Sequence, residues 1–208
     1  MPSYALIGHP LTHSFSKAYF TAKFEQEGLD CQYDNIDLLD LSLIPSSLAG
    51  FNVTIPYKEA IIPYLDEMDP LAATVGAVNT VKVLPDGKRK GHNTDVVGFA
   101  TLLQASHLTQ SNSLILGTGG ASKAVQYVLR KHGFTFRIVS RDATKGDLTY
   151  SRLTPEIIKK HPLIINTTPS GTFPNIDEAP PIPYEGITTN HTLIDLVYNP
   201  KETLFLQH

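Results

Sequence analysis

SLILGTGGASKA, residues 113–124, says more about the fold than any other stretch of the chain. Leu114 to Leu116 form an apolar run that ends at Gly117; Gly119 and Gly120 follow, and a helical pattern begins at once. A buried strand that turns sharply into a helix needs residues without a Cβ at the turn. The helix behind it, ASKAVQYVLRKHG, carries basic residues near its end and Gly133 just past it, which is a helix stop signal. FRIVS, LIINT and TLIDLVY read as further strands, with TPEIIKKH as a helix between two of them, capped by Thr154 with Pro155 in the first turn. Strand–helix–strand alternation predicts a parallel sheet of Rossmann type.

The same alternation runs through the first hundred residues. SYALIG, CQYDNID and FNVTI read as strands. SKAYFTAKFEQEG reads as an amphipathic helix ended by Gly28, and a second helix is expected through KEAIIPYLDEM. AVNTVKVLPDGKRKGHN reads as a hairpin around Asp86-Gly87. Thr94 or Asp95 is the expected cap of a helix through VVGFATLLQAS. The expected fold class is therefore α/β, with two α/β units facing a cleft: residues 1–98, a mainly parallel-sheet unit, and residues 99–208, a Rossmann-like unit.

The bulk composition narrows the function. Of 208 residues, 41% are hydrophobic and 18% charged, an ordinary globular balance. The net charge of −3 offers no basic footprint for nucleic acid. Cys31, the only cysteine, excludes an internal disulfide and suits a reducing compartment; it reads as a small core residue in a strand. The opening MPSYALIGHP has neither a basic segment nor a long apolar run, and no stretch approaches the roughly 20 residues that span a bilayer. The expectation is a cytoplasmic protein with a small-molecule partner, no nucleic acid and no membrane; a homodimer is compatible with a sequence that leaves the oligomeric state open. The eight histidines (9, 13, 92, 107, 132, 161, 191 and 208) lack metal-ligand spacing, so no metal is expected.

The glycine loop points to a dinucleotide. Gly117, Thr118, Gly119, Gly120 and Ala121 let the backbone approach a diphosphate, and the helix amino end adds N–H groups and partial positive charge. About 20 residues on, an NAD binder places an acid for the ribose hydroxyls. Here that strand ends in Ser140-Arg141, a hydroxyl and a guanidinium suited to a 2′-phosphate. Asp142 follows and opposes such a phosphate; Lys145 restores positive charge. NADP is the expected cofactor.

Polar residues cluster in the first unit. In GFNVTIPYKEA, residues 50–60, strand alternation puts Asn52, Thr54 and the direction of Lys58 on one side, with Val53 and Ile55 on the other. Ser14 and Ser16 sit at a strand–helix junction, where hydroxyls and helix N–H groups hold a carboxylate or one serine simply caps the helix. Asn79 in GAVNT and Asp95 in HNTD complete the set. A lysine beside a carboxylate can move the hydroxyl proton that accompanies hydride transfer.

HSFSKA, GFNVTIPYKEA, GAVNTV, HNTD, GTGGASKA, VSR, NTTPSG and DLVYNP stand in the order and spacing of shikimate dehydrogenases, and the chain resembles that family over essentially its whole length. The resemblance implies reversible NADPH-dependent reduction of 3-dehydroshikimate to shikimate, in aromatic amino-acid biosynthesis. It implies that Lys58 and Asp95 are the catalytic pair. Ser14 and Ser16 would bind the substrate carboxylate, Asn52, Thr54 and Asn79 the ring hydroxyls or the pair, and Tyr198 would approach the substrate. Gly117 to Ala121, Ser140, Arg141 and Lys145 would hold the cofactor phosphates, with Asn166, Thr167 and Thr168 beside the cofactor. The sequence departs from the family pattern at the clamp, Ser140-Arg141-Asp142 in place of Asn-Arg-Thr, and at His92 in place of Asp. It ends at LFLQH, ahead of the family's Gly-Leu-x-Met-Leu segment and substrate-binding glutamine. Two rival readings stay open: a quinate/shikimate dehydrogenase that also uses NAD, for which Asp142 speaks, and a non-catalytic ligand-binding relative.

Overall fold

The computed structural model describes residues 1–11 and 14–208, so His13 lies outside the described residues. The chain divides into two compact units, Met1–Val97 and Gly98–His208.

The first unit is a six-stranded sheet. Its strands are β1 (Ser3–Gly8), β2 (Gln32–Asp37), β3 (Leu48–Val53), β4 (Glu67–Met68), β5 (Thr80–Val83) and β6 (Arg89–His92), in the order β2-β1-β3-β5-β6-β4. All neighbours pair in parallel except β5, which runs antiparallel to β3 and β6. Helix α1 (Phe15–Gln26) connects β1 to β2. One sheet face, carrying Ala5, Ile7, Phe51, Val53 and Val81, closes on Leu41, Ile44, Ile61 and Val78 to form the core. On the other face α1 sets Phe20 on Tyr33 and Phe24 on Tyr4. The helix has no fully buried residue, and Phe15 and Tyr19 are 64% and 46% exposed. The amphipathic reading of α1 is therefore corrected. Its aromatics are spread around the axis, and only two of the four named reach the sheet.

The expected helix through KEAIIPYLDEM does not form. Residues 56–61 make turns, Ile62–Tyr64 a single 3-10 turn, and Glu67–Met68 is strand β4. Pro63 lacks an N–H and clashes with the preceding turn, and Pro56 stands only seven residues before it. A short helix, α2 (Pro70–Val75), follows instead. Asp69 caps it by accepting from the N–H groups of Leu71 and Ala72, Pro70 takes the first position, and Gly76 closes it at φ 69°. Those three signals are all present in DPLAATVG. The hairpin forms as read, with Gly87 at φ 84°. Cys31 is half-buried and precedes β2, not a core strand residue. Ile55 lies beyond the end of β3 and is 53% exposed, so the face alternation stops at Val53.

Helix α3 (Asp95–Ala105) runs out of the first unit into the second. At its start the Asn93 side chain accepts from the Val96 N–H (3.2 Å).

The second unit holds β7 (Asn112–Leu116), α4 (Gly120–Lys131), β8 (Thr135–Ser140), β9 (Leu148–Thr149), α5 (Pro155–Lys159), β10 (Leu163–Asn166), β11 (Thr192–Asp195) and α6 (Leu204–Gln207). The five strands pair in parallel in the order β11-β10-β7-β8-β9. The central strands β7 and β10 are buried along nearly their whole length, as their apolar runs require. The chain winds outward from β7 through β8 and β9, then returns to β10 on the other side. The switch of direction lies between β7 and β10, where the carboxyl ends of an open α/β sheet bind ligands. No described helix is long and apolar enough to cross a membrane.

Candidate active site

The polar groups of the first unit gather at one end of its sheet, at the carboxyl ends of β1, β3 and β6 and the amino end of β5. Lys58 lies in the turn after β3, not at the start of a helix, and its carbonyl accepts the Val78 N–H (2.7 Å). This anchors it beside Asn79. The Lys58 ammonium donates to Asp95 Oδ2 at 2.8 Å, with the two side chains 17% and 31% exposed. Asp95 Oδ1 accepts from Asn79 Nδ2, also at 2.8 Å. Asn79 Oδ1 accepts from the Thr94 N–H (2.9 Å), the Thr94 hydroxyl and the Thr80 hydroxyl (both 3.2 Å). Asn52 Nδ2 donates to Thr80 Oγ1 (3.1 Å) and to the Asn79 carbonyl (3.4 Å), while its Oδ1 accepts from the buried Tyr33 hydroxyl (2.8 Å).

Lys58, Asn52, Asn79 and Asp95 thus belong to one continuous network. Ser14 is the cap of α1, its hydroxyl accepting from the Ser16 N–H (3.1 Å), so the capping alternative applies to that residue. Thr54 stands one residue past β3 and packs its methyl toward Gly8, where an added Cβ would lie 2.5 Å from it. Tyr33, Thr80 and Thr94 are members of the network that sequence reasoning missed. Tyr33 reads as one residue of an alternating strand, and nothing local announces where its hydroxyl goes.

In the second unit the glycine loop packs against the end of β10. Gly117 has φ 109°, and a Cβ there would lie 2.8 Å from Thr167 Oγ1 and 3.0 Å from Thr168 Cγ2. Only glycine satisfies both the dihedral and the approach. The Ser122 hydroxyl donates back to the Gly117 carbonyl (2.8 Å) and locks the turn. Helix α4 is preceded by Gly119, which gives it no side-chain cap, it has no acid in its first turn, and the space beside Gly119 is open. Free N–H groups, a positive helix end and an open approach fit a diphosphate. Ser140 ends β8, and its hydroxyl accepts the Asp142 N–H (3.0 Å). Arg141 is exposed and lies close enough to Tyr150 to offset part of the upward push that burial gives the phenol. Lys145 stands 3.8 Å from Asp142. Tyr198 lies beyond β11 and is 67% exposed.

The loop after β10 is held by a residue the motif reading left without a role. Asp195 Oδ1 accepts from Asn166 Nδ2 (3.0 Å) and the Val197 N–H (2.9 Å), and Oδ2 accepts from the Thr203 hydroxyl (2.6 Å). Asn166 Oδ1 in turn accepts from the Thr168 N–H and hydroxyl. Asp195→Asn removes the charge and turns one acceptor into a donor, so the Thr203 bond must reverse and the charge-assisted bonds weaken; we expect a loss of about 1–3 kcal/mol in urea unfolding. Burial pushes the Asp195 carboxyl up. A raised carboxyl favours its proton in the fold, so its contribution is full below the ordinary carboxylate range and declines as pH rises through the raised value. The asparagine variant loses that slope. Among the described residues no group of three or more His, Cys, Asp or Glu side chains is placed to hold a metal ion.

The family model described as "Shikimate dehydrogenase substrate binding domain" matches residues 6–81. A shikimate dehydrogenase (NADP(+)) of Methanococcus maripaludis strain C6 is 39% identical over 225 residues, spanning 97% of this chain and 80% of the relative. Among solved structures, shikimate 5-dehydrogenase of Thermus thermophilus, in complex with NADP(H) and shikimate, matches with TM-score 0.84 at 32% identity, over 100% of this chain and 83% of that one. A quinate dehydrogenase of Corynebacterium glutamicum in complex with NAD matches with TM-score 0.85 at 28% identity, over 99% and 83%. With a lysine–aspartate pair at the end of one sheet, a glycine loop at the switch point of another, and identity of this extent across nearly its whole length, the chain belongs to the shikimate dehydrogenase family.

Proposed function

We propose that this protein catalyses the reversible NADP-linked interconversion of 3-dehydroshikimate and shikimate. The observation that carries the mechanism is the Lys58–Asp95 contact of 2.8 Å, held from behind by Asn79. NADP, when bound, supplies or accepts the hydride. Lys58 gives a proton to the carbonyl oxygen as that carbon takes the hydride, and takes it back from the hydroxyl in the reverse direction. Asp95 orients the ammonium and stabilises its charge, and Asn79 fixes which carboxylate oxygen faces the lysine.

Residues 1–98 form the substrate-binding domain in this reading. Ser14 and Ser16 take the substrate carboxylate, Asn52, Thr54 and Asn79 the ring hydroxyls or the catalytic pair, and Tyr198 approaches the substrate. Residues 99–208 take the cofactor. Gly117 to Ala121 receive the diphosphate at the start of α4, Ser140, Arg141 and Lys145 the 2′-phosphate, and Asn166 to Thr168 line the cofactor beside β10. The aromatic-precursor reaction, the single cysteine and the lack of a membrane-crossing helix among the described residues support a cytoplasmic enzyme. A homodimer is the assembly to check, by analytical ultracentrifugation.

A second reading, quinate oxidation with NAD, is favoured by Asp142 and by the likeness to a quinate dehydrogenase bound to NAD. One assay separates the readings: cofactor reduction followed at near-ultraviolet wavelengths, with shikimate or quinate and NADP⁺ or NAD⁺. Turnover with shikimate and NADP⁺ alone is the expected result. Comparable turnover with quinate or NAD⁺ moves the assignment to the broader enzyme. A folded protein that binds shikimate and turns over nothing is a ligand-binding relative.

A further inference from the structure

Tyr33 is a buried, titratable side chain that the mechanism above does not use. It is 4% exposed and its ring stacks on Phe20 at 4.7 Å and 17°. A phenylalanine would give that packing equally well. The hydroxyl is a burden in such a place unless it is used. Burial pushes the phenol up to about 12, so it is a hydroxyl donor at any physiological pH.

Its O–H goes to Asn52 Oδ1, across the intervening strand β1. That bond, together with the acceptor-only Asn79 carbonyl that takes an Asn52 Nδ2 hydrogen at 3.4 Å, sets how the Asn52 amide is turned. With Oδ1 committed to Tyr33, Nδ2 must face Thr80 Oγ1. Thr80 Oγ1, filled as an acceptor, donates onward to Asn79 Oδ1, Asn79 Nδ2 donates to Asp95 Oδ1, and Asp95 Oδ2 accepts from Lys58. Every bond from the phenol to the catalytic carboxylate runs donor to acceptor in one direction. Without the phenol, Asn52 Oδ1 loses its donor and the amide is held only through Nδ2, by Thr80 Oγ1 and the longer bond to the Asn79 carbonyl, so its orientation is less firmly set.

We propose that Tyr33 is a positioning residue that holds the amide of Asn52 in the orientation it presents to the substrate site. The proposal rests on the shikimate dehydrogenase reading of the site. The contacts of Asn79 with Thr94 and with Asp95 do not pass through Tyr33, so the catalytic pair is buffered and the effect falls on substrate binding.

The test is Tyr33→Phe in the full chain, with steady-state kinetics in shikimate and calorimetric titration of shikimate and of NADP⁺. We expect KM and Kd for shikimate to rise roughly tenfold, the loss that accompanies one buried acceptor left unpaired. The expected kcat stays within about threefold, and Kd for NADP⁺ is unchanged, because the cofactor groups lie in the other unit. In Tyr33→Phe/Asn52→Ala the two effects should not add, because the phenol acts through Asn52. A wild-type shikimate KM in Tyr33→Phe, or additive losses in the double variant, overturns the role. So does equal weakening of shikimate and NADP⁺, which marks a general loss of structure. A wild-type chain that neither binds nor turns over shikimate overturns the underlying reading and the role with it, and that outcome is visible before any variant is compared.

Discussion

Lys58→Ala lowers kcat for shikimate oxidation by roughly 10²- to 10⁴-fold, the range for removal of a positioned general acid or base. The fold should survive. The Lys58–Asp95 pair is part-exposed, and pairs of that kind contribute about 1 kcal/mol or less. Asp95 also keeps its bond from Asn79, so the carboxylate is not stranded. The decisive companion is Lys58→Arg. Arginine preserves the charge and the contact with Asp95, but it does not release a proton in the working pH range. Proton transfer by Lys58 predicts that both variants are impaired, whereas a purely electrostatic role predicts that arginine rescues. Rescue, or an alanine variant with near-wild-type kcat, would sink the assignment.

Arg141→Ala weakens NADP⁺ binding by about 10- to 100-fold, the value of one to two charge-assisted hydrogen bonds to phosphate, and leaves NAD⁺ binding unchanged. The structure explains how a clamp containing an acid can still serve a phosphate. Asp142 Oδ1 accepts from the Thr144 N–H (2.9 Å) and hydroxyl (2.7 Å), and Lys145 stands 3.8 Å from Oδ2. The Thr144 bonds hold the Asp142 carboxyl below the ordinary carboxylate range. The acid is thus charged but turned into its own loop, and Arg141 is left exposed. The loop is pinned at both ends. Asp142 donates its N–H to Ser140, and Asp147 accepts from and donates to the Ile138 backbone. Fluorescence titration with NADPH and NADH measures the effect. Equal weakening of both cofactors would show that Arg141 does not read the 2′-phosphate.

The elements legible in the sequence are those whose pattern is strong over several residues. β7, β10 and the α4 amphipathic helix have continuous or periodic burial, and β7 and α4 are each followed by a glycine of positive φ, Gly117 and Gly133. KEAIIPYLDEM misleads because its apolar spacing suits a helix while Pro63 forbids the hydrogen bonds, and the covalent constraint outweighs the pattern. α1 forms where expected, but its aromatic residues suggest a buried face that the sheet only half covers.

Local information is enough for the α/β class, the glycine turn at Gly117 and the residue types available for chemistry: a lysine, an aspartate, amides and hydroxyls in short motifs. These are properties of backbone dihedrals, periodicity and side-chain chemistry, and they are written in the sequence alone. Which groups meet is settled only in the folded chain. Lys58 and Asp95 are 37 positions apart and 2.8 Å from one another. Tyr33 reaches Asn52 across a strand, and Asp195 holds the loop that faces the glycine turn. Strand order and register set those distances. They follow from how the whole sheet buries its faces, and no stretch of a dozen residues contains that information.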